Sequence, residues 1–150
     1  MAFKFRLESL ITLRDDTLKE CQSELAKAYE ARKIVEDAEK KINDELQNNF
    51  EINRQRLQET GILDIEYLLG LQRRNAYLSS QLNIIKRDLV KIDEEIERRR
   101  QAVKEAHTEL RIIEKLKEKK QNEYKINEAK KEEFTMNEIA ITRSIRRELY

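Results

Sequence analysis

Nothing in this sequence stops a helix except at one place. There is no proline, and the only two glycines, Gly61 and Gly70, both fall in QETGILDIEYLLGL, Gln58 to Leu71. Proline costs a helix interior about 3 kcal/mol and glycine about 1, so roughly 60 residues before this stretch and roughly 80 after it are free to stay helical. Glycine accepts the left-handed conformation that ends a helix, which makes Thr60-Gly61 the natural break. Asp64 is then placed to cap the next helix. The reading is one unit over residues 1–150, with a helix over about 5–59, a turn over about 60–63 and a second helix over about 64–145.

The apolar residues say how the helices pair. Alternate steps of four and three from Leu7 meet Ile11, Arg14, Leu18, Cys21, Leu25, Ala28, Arg32, Val35, Glu39, Ile42 and Leu46. The same steps from Leu68 meet Leu71, Asn75, Leu78, Leu82, Ile85, Leu89, Ile92, Ile96, Arg99, Val103, Ala106, Leu110 and Ile113. Such steps average about 3.5 residues, the coiled-coil period. Beyond Ile113 they meet Lys117, Lys120, Tyr124, Asn127 and Lys131, and the apolar seam fades. A reversal at Gly61–Ile62 sets residue i opposite roughly 123 − i, so a first helix that starts near Phe5 runs out of partner near Glu118. The seam fades at that point. The predicted fold is therefore all-α: an antiparallel coiled-coil hairpin whose second helix is longer and overhangs. At about 1.5 Å per residue the paired part is on the order of 80 Å long and the overhang roughly 45 Å. The same mirror sets Arg99 near Glu24 beside the seam.

Charge supports the same reading. Charged residues make up 41% of the chain and net charge is only +1, so opposite charges share the outer faces. Glu36–Lys40, Asp37–Lys41, Glu94–Arg98 and Glu95–Arg99 are i, i+4 pairs in the favourable order, each contributing about 0.2–0.5 kcal/mol. From Arg98 to Lys131 bases outnumber acids, with RRR at 98–100 and KLKEKK at 115–120. This run reads as a solvated face, as a surface for an acidic protein groove, or, least well because acids interleave, as a nucleic-acid contact.

Catalysis is not expected. His107, the only histidine, has no second histidine or cysteine nearby, and neither a metal site nor any cofactor is indicated. Cys21 lies on the seam as a small core residue and can form no internal disulfide. There is no Gly-rich phosphate loop. No run of 18 apolar residues suggests a membrane span. The start, MAFKFRLESL, lacks the apolar core of a secretory signal, and a cytosolic protein is expected. Around the glycines, Ile65, Tyr67, Leu69 and Tyr77 lie off the seam. They read either as a local cluster closed by Phe50, Ile52 and Leu57 or as a partner-binding patch. Gly70 is open to two readings as well, close approach or a local kink.

Three segments carry a family resemblance. FKFRLESLITLRDD has the pattern Phe3-x-Phe5-Arg6-Leu7-Glu8-x-x-Ile11, followed by Arg14, and resembles the start of the FliJ family of the bacterial flagellar protein-export apparatus. IIEKLKEKKQNEY, Ile112 to Tyr124, is similar to the family's Leu-Glu-Lys-Leu-rich stretch. EEFTMNEIA, Glu132 to Ala140, is similar to its closing Asp-Glu-x-Ala segment, with Met136 the hydrophobic residue before it. Here Asn137 stands where an acid is usual, so Asn137-Glu138 keeps one charge and loses the other.

The resemblance implies a non-enzymatic protein similar to the central stalk of rotary ATPases. It would associate with the hexameric export ATPase, the membrane export gate protein and export chaperones. It would be cytoplasmic, held at the inner face of the cell membrane only through these partners. On that basis the chain ends are expected to meet the ATPase through Phe3, Phe5, Arg6, Leu7, Glu8, Leu116, Lys117, Lys120, Tyr124, Met136 and Glu138. The tip is expected to meet the gate through Ile65, Tyr67, Leu68, Leu71 and Tyr77. A monomer is expected in isolation. The alternatives are a scaffold coiled coil in which two chains pair, a stalk protein of a virulence-type secretion system, and a nucleic-acid-binding coiled coil.

Overall fold

The computed structural model describes residues 2–60 and 64–150. It contains α1, Glu8–Thr60, and α2, Ile65–Leu149. The predicted turn residues Gly61, Ile62 and Leu63 lie outside the described residues. The Asp64 cap forms: its carboxylate accepts from the Tyr67 backbone N–H at 3.3 Å and its carbonyl from that of Leu68 at 3.0 Å. The carboxylate bond satisfies one of the four orphan donors of that helix start, and the carbonyl bond is the first of the regular helix ladder.

Both outer boundaries differ from the sequence reading. The first helix starts at Glu8 rather than near Phe5, because residues before it make a turn in which the Glu8 N–H reaches the Phe5 carbonyl at 3.3 Å. The second runs on to Leu149 rather than about 145. No breaker lies in between, and Arg146 and Arg147 in the last turn suit the negative end of the helix dipole.

The chain divides into two compact units. One combines Met1–Lys19 with Lys104–Tyr150, and the other is Glu20–Val103. In the first unit Glu8 pairs with Lys117 at 2.8 Å and Arg14 with Glu109 at 2.7 Å. In the second, Glu24 pairs with Arg99, Arg32 with Asp93 and Glu45 with Arg74. Each advance along α1 is a retreat along α2, so the helices pair antiparallel within both units. This is the helical hairpin that the two periodic series predict.

Burial follows those series. Every position of the α2 series, Leu68 to Ile113, is buried or half-buried, and so is every position of the α1 series except Leu7, which precedes the helix. The buried residues of the first unit are Leu18, Ala106, Leu110 and Ile113; those of the second are Ala28, Leu78 and Ile96. None of the described side chains is completely buried, because each seam residue has one facing helix and no further layer above it.

Four of the five polar interruptions of the seam, Arg14, Arg32, Asn75 and Arg99, reach a partner on the facing helix. Arg99 Nη1 donates to the Glu24 carbonyl at 2.6 Å and lies 3.8 Å from the Glu24 carboxylate, while its Nε meets Glu95 at 3.0 Å. Arg32 Nε sits 2.8 Å from Asp93, placed as an ion pair rather than as an aligned hydrogen bond. Arg14 uses only Nη1 on Glu109, and its Nε is buried without an acceptor. Asn75 receives a 3.0 Å hydrogen bond from Asn49. Partly exposed charge pairs of this kind contribute little stability. Their effect is on register, since any slip leaves polar atoms facing apolar ones.

Of the four predicted outer-face pairs one forms among the described residues, and two of the other residues take different partners. Glu95–Arg99 is present, but Arg98 pairs with Glu95 and Glu36 with Arg32. Lys19 hydrogen-bonds Asp15 at 3.0 Å, and that bond, with the aspartate's charge, holds its ammonium above the ordinary lysine pKa.

No described part of the chain itself uses the space that Gly70 leaves open. The glycine lies within α2, is exposed, and a methyl group added there meets nothing within 4 Å. Gly70→Ala should therefore raise stability by about 0.5–1 kcal/mol, through the lower entropy of the unfolded chain. Urea unfolding monitored by circular dichroism would show it; a loss of stability would mean that the glycine has a conformational task after all.

Candidate functional site

Two regions gather the predicted site residues. Each lies within one unit.

In the first unit, residues 2–7 precede α1 and lie against α2. The Phe3 ring sits 5.5 Å from that of Tyr124, tilted by 47°, within the range of favourable aromatic pairs. Glu8 and Lys117 tie the first turn of α1 to the same region. Between the segment and α2 runs an open groove of about 650 Å³, lined by Phe3, Lys4, Phe5, Arg6, Leu7, Leu116 and Lys120. Of the predicted end residues, Phe3, Phe5, Arg6, Leu7, Glu8, Leu116, Lys117, Lys120 and Tyr124 are thus brought together.

Met136 and Glu138 do not join them. From Ala129 onward every residue of α2 is exposed. Met136 is 69% exposed, and Phe134, Ile139, Ile141, Ile145 and Leu149 also face solvent. This stretch has no facing helix, and its apolar side chains are unpartnered.

In the second unit, the end where α1 stops and α2 starts divides the predicted tip residues in two. Leu68, Leu71 and Tyr67 are half-buried, and the Arg56 guanidinium stacks 3.9 Å from the Tyr67 ring centre. Ile65 and Tyr77 are 69% and 53% exposed, with Arg74 over the Tyr77 ring at 5.4 Å. A closed local cluster with Phe50, Ile52 and Leu57 does not form among the described residues, since all three are exposed. Two facing helices can cover only a narrow stripe, and these side chains lie outside it.

The basic run over 98–131 is largely engaged. Arg98, Arg100, Arg111, Lys120 and Lys131 pair with glutamates three residues away, and Arg99 and Lys117 pair across to α1. His107 is exposed and Cys21 is half-buried with a free thiol. Among the described residues no group of three His, Cys, Asp or Glu is placed to hold a metal ion. No described helix is long and apolar enough to cross a membrane.

The sequence reading missed two participants. Lys4 lines the groove, but a lone lysine near a chain end carries no signal. Asn49 was legible: it is the next three-residue step after Leu46 in the α1 series.

No curated protein and no solved structure matches the chain significantly. The family model described as Flagellar FliJ protein matches residues 3–149. The match takes in the segment before α1, both helices and the exposed end of α2. The chain belongs to the FliJ family and is a component of the flagellar protein-export apparatus.

Proposed function

We propose that this protein is the coiled-coil stalk of the flagellar export ATPase. In this reading the chain ends engage the ATPase hexamer, and the end of the second unit around Ile65–Tyr77 engages the membrane export gate. Export chaperones bind it in turn. It works in the cytoplasm, reaches the inner face of the membrane through these partners, and is a monomer when alone. Its contribution is mechanical and adaptor-like rather than catalytic.

One observation carries the reading: in a family member of the export apparatus, large apolar side chains stay exposed at Ile65 and Tyr77 and along 129–150, while the seam residues are covered. Apolar surface left in water favours a partner that removes it. Paired helices also suit a stalk physically, since each stiffens the other along its length.

The gate contact is tested with Ile65→Ser and Tyr77→Ser together. Both residues are exposed, so the fold should hold, whereas Leu71→Ala would also weaken the seam. Binding to the purified cytoplasmic part of the gate should fall by about tenfold or more, as for residues that anchor an interface. Undiminished binding with unchanged helicity would remove the gate from the proposal.

A further inference from the structure

The groove of the first unit has a one-sided chemistry. Phe3, Phe5, Leu7 and Leu116 supply apolar walls, and Lys4, Arg6 and Lys120 supply cations. No carboxylate lines it. Glu8, which lines the adjoining recess with Phe3, Lys4 and Phe5, is paired with Lys117 at 2.8 Å. Lys120 has a 3.4 Å contact to Glu123. Lys4 and Arg6 have no ion-pair partner among the described residues. The seam cations Arg14, Arg32 and Arg99, by contrast, are all ion-paired.

We propose that this groove is the docking site for an acidic segment of the export ATPase that also carries large apolar side chains. The inference rests on the reading that the chain ends meet the ATPase, and it names the chemistry of the contact. A purely apolar ligand would press two uncompensated cations into a drier environment, which is unfavourable. A basic ligand would be repelled. A ligand with carboxylates beside its apolar anchors neutralises Lys4 and Arg6 as it covers Leu7 and Leu116. The planar Arg6 guanidinium can take a carboxylate in a two-point hydrogen-bonded pair.

The test is binding of the full chain to purified export ATPase over a range of salt concentrations. Lys4→Glu with Arg6→Glu should weaken binding about tenfold or more at low salt and flatten its salt dependence, because opposite charges in contact are replaced by like ones. Leu116→Ser should weaken it severalfold without changing the salt dependence. Lys86→Glu with Lys91→Glu makes the same charge change on exposed positions of the second unit and should leave binding nearly unchanged.

If the unaltered protein does not bind the ATPase, the assignment of the chain ends fails and takes the groove with it. If it binds and the Lys4/Arg6 variant binds equally well, only the groove assignment fails. An equal loss in the Lys86/Lys91 control would reduce the effect to overall charge and overturn the groove. So would concentration-dependent self-association that the Lys4/Arg6 change abolishes, since the occupant would then be a second copy of the chain.

Discussion

Leu78→Ala should destabilise the protein by about 2–3 kcal/mol, the low end of the range for leucines cut back in protein cores. Leu78 is the most buried of the described residues, at 3% exposure, and it stands in the α2 series facing α1. The low end applies because a helix pair can partly collapse into the space left behind. Even so, 2–3 kcal/mol is a large share of the 5–15 kcal/mol that ordinarily separates folded from unfolded chains. Val90→Ala removes apolar carbon from the same helix at 58% exposure and should cost less than about 0.5 kcal/mol. Urea unfolding of both variants decides the matter. Equal losses would mean that the seam is not what holds the helices together.

The contrast between Leu78 and Val90 was legible in the sequence because a paired helix buries a single stripe at a fixed period. That period placed Leu78, Ile96, Ala106, Leu110 and Ile113 correctly, and the mirror about Gly61–Ile62 set Arg99 near Glu24. The Asp64 cap was legible for a similar reason: capping is local chemistry, settled by a side chain and the next few amides. The start of α1 was not. Phe5, Arg6 and Leu7 are good helix residues, and only the packing of Phe3 on Tyr124 gives the chain before Glu8 another place to go. That contact joins residues far apart in sequence and leaves no periodic trace.

The candidate site was half legible. Phe3, Phe5, Leu7 and Leu116 were named as site residues by the family resemblance and not by the period, and their meeting is consistent with the antiparallel register. The state of the cations did not follow. Lys117 and Lys120 are alike in sequence, yet one reaches Glu8 on α1 and the other stays with Glu123 on its own helix. Which side chain pairs is decided by rotation about the helix axis, a few tens of degrees finer than a 3.5-residue pattern resolves. Near the helix break, composition suggested a closed cluster. Geometry refused it, because Phe50, Ile52 and Leu57 fall outside the one stripe that a facing helix can cover.

Truncation after Glu128 should separate stability from function more sharply than any point change. The removed residues, Ala129 to Tyr150, are all exposed, so the unfolding free energy in urea should stay within about 0.5 kcal/mol of that of the intact chain, as for surface changes generally. Tyr124 remains, and with it the packing of Phe3. Binding to the export ATPase should fall by about 100-fold, equivalent to roughly 3 kcal/mol, because Met136, Glu138 and the exposed Phe134, Ile141 and Ile145 leave together. A stretch with no facing helix lacks the tertiary packing that supplies most helical stability in proteins. Amide exchange in the intact chain should therefore be fast beyond Ala129 and slow along the seam, and should slow beyond Ala129 when the ATPase is added. The gate contact around Ile65 and Tyr77 should survive the truncation unchanged. A truncated protein that holds the ATPase as tightly as the intact one would return the binding to the groove at Phe3–Leu7 alone and leave the exposed end of α2 without a part in it.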